Sequence, residues 1–358
     1  RHSLAVSPHC TAASPERSTL QATYTSVHMA RSTGPALLML MLVALVPSLR
    51  AQTSKPNLDV AILQFALNLE YLEANFYSCA AFGTPLNASL SGGGPAPTGC
   101  KKANLTAPAL AYATAIANDE IEHVAFLRAA LGASAFPQPL LNVGTAFVAA
   151  ANAALSTTLS PPFDAYATDL LFYHAAFIFE DVGVTAYKGA ASLLTNAGTL
   201  TTAAGILATE AYHGGAIRTL LFPSANSPAT PYSATVTQVI AAISALRATV
   251  SGAADDQGLV NAAGGFVVAP TDANGLAFSR NMTQVMSIVY LGGTTMGGFF
   301  PDGLGMSATA APTTPTAVVA KANIDIAVLQ FALNLEYLEA NFYSCAAFGT
   351  SLNASLSG

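Results

Sequence analysis

Four long stretches of this chain repeat apolar residues at a spacing near 3.6, and every one of them sets a glutamate on its apolar side. The spacing predicts helices over 57–82, 106–131, 164–196 and 199–222. In the first, "FALNLEYLEANFY" places Glu70 on the face of Leu63, Ala66, Leu67 and Tyr77. In the second, Glu120 and His123 share a stripe with Ala113, Ile116, Val124 and Leu127. Glu180 in the third is bracketed by Tyr173, Ala176, Phe177, Val184 and Tyr187, and "ILATEAYHGG" in the fourth aligns Glu210 and His213 with Ile206, Leu207 and Ile217. Helices of this kind bury their apolar stripes against one another, so the acids go inward with them.

An isolated buried carboxylate is costly, and four converging ones repel unless protons or cations intervene. Residues three apart on a helix lie about 4.5 Å apart along its axis, so each Glu-x-x-His pair can address one small volume. Two divalent cations, iron or manganese, satisfy a set rich in carboxylates and poor in nitrogen; a metal-free hydrogen-bonded cluster is the alternative. Specificity comes from joint occurrence. Between Gln52 and Ala322 there are only six glutamates and three histidines, and Glu70, Glu120, His123, Glu180, Glu210 and His213 use four and two of them. Glu73, Asp119 and Glu122 are assigned to solvated flanking faces, with Glu73 and Tyr77 as candidates for the layer behind the ligands. His174 reads as a core or surface histidine, and Tyr112, Tyr187 and Tyr212 as packing aromatics. No residue is singled out as catalytic.

The order Glu, Glu-x-x-His, Glu, Glu-x-x-His resembles the carboxylate-bridged dimetal site of ferritin-like bundles. The segments "LNLEYLEANFY", "DEIEHVAFLRAAL", "LSPPFDAYATDLL", "FEDVGVTAYKGAA" and "DANGLAFS…IVYLGG…GGFFPDGL" resemble the ferritin-like desiccation-related proteins of plants and algae, which have bacterial and fungal relatives. The resemblance implies an all-α, ferritin-like four-helix bundle with a C-terminal extension, an exported protein and a link to drying stress. The long, Pro-punctuated stretch from Gly132 to Pro162 predicts a crossover between helices 2 and 3, with a short helix near 143–156. Further helices are predicted at 233–250 and 281–290.

A near-identical repeat sets the domain plan. Residues 57–92 return at 323–358 with four differences, 266 positions later, after a Pro/Thr/Ala linker at 306–322. The reading is one complete domain over 52–305 followed by a truncated repeat of its first helix; the functional alternative is self-association, the extra helix entering a second molecule's bundle. No counterpart of Cys100 follows Cys345 in the repeat.

Residues 29–51 have the basic start and short apolar run of a signal peptide, preceded by a leader at 1–28, so a secreted, extracellular or cell-wall location is expected, with no stable membrane span. Cys79 and Cys100 flank a Gly/Pro-rich loop and are expected to pair, and Asn87, Asn104 and Asn281 begin glycosylation triplets. The formal charge of −6, without a basic stripe, argues against nucleic acid as a partner. Metal ions and a small oxidant, oxygen or peroxide, are the expected ligands, and a structural matrix protein is the competing function.

Overall fold

The computed structural model describes residues 57–304 and 324–352. The first stretch belongs to one compact unit and the second to another, and each is described by itself. The predicted leader, signal peptide and linker fall outside the described residues.

The first unit is all-α: α1 (Leu58–Phe82), α2 (Ala107–Leu131), α3 (Thr145–Ala154), α4 (Asp169–Ala191), α5 (Ala197–Leu221), α6 (Val236–Ser251) and α7 (Met282–Val289). Among the described residues, β-pairing is confined to isolated bridges. α1 and α2 form one antiparallel hairpin and α4 and α5 the other, and the two hairpins pack together as a four-helix bundle. The chain from Gly132 to Thr168, with α3 inside it, is the crossover between them. No helix among the described residues is long and apolar enough to cross a membrane.

The four bundle helices are of two kinds. α2 and α5 are amphipathic, burying residues three or four apart such as Ala113, Ile116, Ala117, Glu120, Val124 and Leu127. α1 and α4 are buried all round; every residue from Ile62 to Ala81 is covered. A helix apolar on all sides needs neighbours on all sides. The crossover and the C-terminal extension supply them: Phe147 and Phe299 pack on Phe179 from outside the bundle, and Phe147 also meets Phe76.

Local chemistry sets the helix ends. Asn57 caps α1 by accepting from Asp59 N, and Gly83 closes it in the left-handed region at φ 77°. Asp59 in turn accepts from the backbone of Thr195 and Asn196, both at 2.9 Å, which ties the start of α1 to the loop entering α5. α4 begins at Asp169, later than the periodicity predicts, because Asp164 accepts from Tyr166 N in a turn and Thr168 caps Leu171 N. Cys79 and Cys100 are joined by a disulfide. Beside it Gly99 passes Gly144 so closely that a Cβ on Gly99 would lie 2.4 Å from the Gly144 Cα. Asn87, Asn104 and Asn281 are all exposed, and Asn281 also caps α7.

The extension is fastened to α4 and α5 by a buried charge network that the sequence reading did not anticipate. Asp181 receives Arg218 Nε and Nη2 at 3.1 and 2.7 Å and Arg247 Nη2 at 3.1 Å. Arg247 also reaches Asp256 at 2.7 Å, and Arg280 bridges Asp256 and Asp255 at 2.8 and 2.9 Å. Three acids balance three bases, and Arg218 and Arg247 lie over the Phe177 ring.

In the second unit, α8 (Ile324–Phe348) repeats α1 in sequence but not in environment: Leu338 and Phe342 are 70% and 65% exposed, where Leu72 and Phe76 are 1% and 0%. Cys345 is disulfide-bonded.

Asp181→Asn leaves two buried guanidinium groups short of charge, and a loss of roughly 3–5 kcal/mol is expected in urea unfolding at pH 7. Burial works to raise the Asp181 pKa, but Arg218 and Arg247 overcome it and hold the group below its ordinary 3.8. Its contribution is therefore present above 3.8 and fades as pH falls through the lower native value. The variant and the parent should converge in acid; a constant gap across pH contradicts the assignment.

Candidate metal centre

The bundle axis brings six side chains from four helices into one buried cluster. Glu70, Glu120, His123, Glu180, Glu210 and His213 arrive one helix at a time from α1, α2, α4 and α5, and the four glutamates are 0–1% exposed. Two lobes share Glu120. Around His123 Nδ1 lie Glu70 Oε2 at 3.1 Å, Glu120 Oε2 at 3.2 Å and Glu210 Oε1 at 3.8 Å. Around His213 Nδ1 lie Glu120 Oε1 at 3.0 Å and Glu180 Oε2 at 3.6 Å. In the first lobe, one donor atom from each of Glu70, Glu120, His123 and Glu210 falls within 4.8 Å of every other.

Protein groups fix the outer side of the cluster. Tyr187 donates its hydroxyl to Glu70 Oε1, and Tyr77 donates to Glu180 Oε1. Asp119 Oδ2 lies 3.0 Å from His213 Nε2, which orients the ring so that Nδ1 points inward. Tyr187 is thus more than a packing aromatic, and Asp119, although its side chain is 48% exposed, is not merely solvated. Tyr112 and Tyr212 are exposed, and Glu122 is solvated. His174 is a core histidine, with Nδ1 at 2.7 Å from Leu170 O and its pKa pushed down by burial to about 4.

Glu73 corrects the expectation of a solvated face. It is 4% exposed, because α1 is covered on every side, and it is a fifth carboxylate in the field of Glu120, Glu180 and Glu70. Gly183 on α4 makes room beside the cluster. A Cβ there would lie 2.3 Å from Glu210 Oε2, so any larger residue displaces that carboxylate.

The inward atoms are short of partners. Glu180 Oε2 and both Glu210 oxygens are buried without a hydrogen bond, and Glu120 Oε1 is served by His213 Nδ1, 3.0 Å away. Such atoms cost about 1–3 kcal/mol each when nothing satisfies them. Four carboxylates and two imidazoles in two adjoining lobes are a donor set that fits hard or borderline divalent cations.

Comparison with known proteins agrees with this architecture. The profile of the ferritin-like domain matches residues 58–223 and 324–358. The chain belongs to the ferritin-like domain family. It is similar to the desiccation-related protein PCC13-62 of Craterostigma plantagineum, 38% identical over 196 residues, which is 54% of this chain and 62% of that protein. It is also similar to the ferritin-like catalase Nec2 of Nesocodon mauritianus, 31% identical over 259 residues, 68% of this chain and 83% of that one. The chain thus spans less than two thirds of the first relative and more than two thirds of the second. No solved structure matches it.

In this ferritin-like centre, protons stand in for cations when no metal is bound. Burial, with the Glu120 charge, lifts Glu70 to about 7, and burial lifts Glu180 to about 8 against the opposing pull of His213. Burial and neighbouring carboxylates, Glu73 foremost, hold Glu210 well above the ordinary range. Burial opposes charge on the imidazoles, but their carboxylate partners outweigh it and raise His123 to about 11 and His213 to about 9. Glu120 is the exception: burial pushes it up, yet hydrogen bonds from both histidines bring it down to about 2.

The sign for stability follows. Glu70 and Glu180 bind protons more tightly folded than unfolded, so their contribution is whole below 4.5 and is lost as pH rises through 7 and 8. The histidines contribute below 6.5 and lose it on the way to 9 and 11. Chelator-treated protein should therefore show a urea midpoint that falls steadily from pH 5 to pH 9. A midpoint that is flat or rises over that range contradicts the proton-filled cluster.

Proposed function

We propose that this ferritin-like protein holds two iron or manganese ions between its four bundle helices and uses them on dioxygen or peroxide. One observation carries the reading: Glu180 Oε2 and both Glu210 oxygens are buried without a hydrogen bond beside the two imidazoles and the Glu120 carboxylate. His123 with Glu70, Glu120 and Glu210 would hold one ion, and His213 with Glu120 and Glu180 the other. Glu120 would belong to both sets, since its two oxygens face different histidines.

The ions supply redox and Lewis-acid chemistry at an oxygen atom. The chain's own residues do the rest. Tyr77 and Tyr187 hold two carboxylates in position, Asp119 fixes the face of His213, and the apolar wall of α1 and α4 keeps bulk water out. The name of one relative, ferritin-like catalase, supports peroxide as a substrate, and the name of the other supports a role under drying stress. Export to the cell surface or wall is part of the proposal, supported by the signal-like segment at 29–51, the Cys79–Cys100 disulfide and three exposed glycosylation triplets.

A second reading, a non-enzymatic matrix protein that associates through its repeated helix, is favoured by one feature: the apolar residues of α8 are exposed.

Elemental analysis separates the two. The full chain expressed with iron or manganese and purified without chelator should carry about two ions, and Glu210→Ala, His213→Ala should carry at most one while keeping its helical signal. A folded parent protein free of metal under the same conditions favours the matrix reading.

A further inference from the structure

Behind the metal centre, on the side of the crossover and the extension, the packing leaves three small cavities that meet at Ile178. The outermost, about 20 Å³, lies among α3, α4 and α6 and is bounded by half-buried Leu155, Leu159 and Tyr232. The next, also about 20 Å³, shares Ile178 and Ile243 with it and reaches Ile288 on α7. The innermost, about 10 Å³, shares Ile178 and Ile288 with the second and ends at Glu73 and Gly183. Gly183 is the residue whose missing Cβ leaves space for Glu210 Oε2.

We propose that this row of cavities is the path by which dioxygen reaches the metal centre. The inference rests on the dimetal reading and narrows its substrate. Each cavity is of the order of one water-sized molecule, and voids with apolar walls stay dry and admit nonpolar molecules. The walls are carbon almost throughout. His174 stands at the first cavity and Arg247 at the second, where its guanidinium is already engaged by Asp181, Asp256 and Phe177 O. Hydrogen peroxide, with two donors to satisfy, finds few partners along such a route. It has a polar alternative on the opposite side of the bundle, where the His123 side chain is 12% exposed and Asp119 is half exposed. Ile178 faces all three cavities, so one side chain governs passage.

The test uses the full chain. Crystals of metal-free protein under xenon pressure should hold xenon against Ile178, and those of Ile178→Trp should not. In ferrous-loaded protein, Ile178→Trp should slow oxidation by dioxygen at least tenfold while leaving two bound ions and the rate with hydrogen peroxide unchanged. Ile288→Phe narrows the same path from α7 and repeats the measurement should the tryptophan variant fail to fold. Absence of xenon at Ile178, wild-type oxidation by dioxygen in both variants, or equal slowing with peroxide overturns the path. Failure of the parent protein to load metal overturns the dimetal reading instead, and the xenon result then decides whether the cavities admit a gas.

Discussion

Taking a carboxylate out of water costs several kcal/mol unless a counter-charge or proton comes with it. The centre of this bundle does so at Glu70, Glu73, Glu120, Glu180 and Glu210 within reach of two imidazoles. Everything around the cluster answers to that cost. Tyr77 and Tyr187 donate to the outer oxygens, and the Glu-x-x-His spacing brings each imidazole to an acid of its own helix or a neighbour's. What is left over is a set of inward atoms that the protein itself does not satisfy. A fold built only for stability would have placed leucine at these positions, since apolar replacements of buried ions are often neutral or stabilising. Acids at these positions are what a metal-binding centre of a ferritin-like bundle needs.

The second buried charge cluster has the opposite character. Asp181, Asp255 and Asp256 are matched by Arg218, Arg247 and Arg280, and Arg218 and Arg247 further donate to backbone carbonyls and stack on Phe177. Its acids and bases balance, so it needs no outside ion. Asp181 follows Glu180 directly, so the same turn of α4 contributes one acid to each cluster. The self-sufficient network clamps α4 to α5 and to the extension, and by fixing the rotation of α4 it helps fix where the Glu180 carboxylate points. The extension is in this sense part of the scaffold of the centre and not an appendage to it.

The four bundle helices, the crossover and the six clustered side chains were legible because each leaves a local mark: a 3.6 spacing, a run of prolines, a charge where apolar residues dominate. Glu73 was not, because the reading treated α1 as having one buried face. Gln64, Asn68, Asn75 and Ser78 stand around the helix as a polar face would, and only the folded chain buries them together with Glu73. Asp119 was misplaced for a different reason: its side chain is half exposed, and only the approach of α5 brings His213 to its oxygen. The arginine network leaves no local pattern at all. Arg218, Arg247 and Arg280 sit on three elements far apart in sequence, and only the folded chain brings them to Asp181 and its partners.

The repeat shows most directly where the chemistry comes from. Glu336 and Glu339 sit in the same local sequence as Glu70 and Glu73, yet both are exposed in α8 while their counterparts are buried. Helix propensity, periodicity and side-chain chemistry are the same in the two copies, so none of them creates the perturbed carboxylates. Glu70 and Glu73 owe their burial to the helices of their own unit: Glu120 and His123 from α2, Tyr187 and Glu180 from α4, and Glu210 beside the gap at Gly183. An acid on an apolar helix becomes a candidate ligand only when neighbouring helices remove its water and offer other donors in exchange. For this chain the unit of function is therefore the four-helix assembly, and the conspicuous motif "LNLEYLEANFY" supplies one quarter of it.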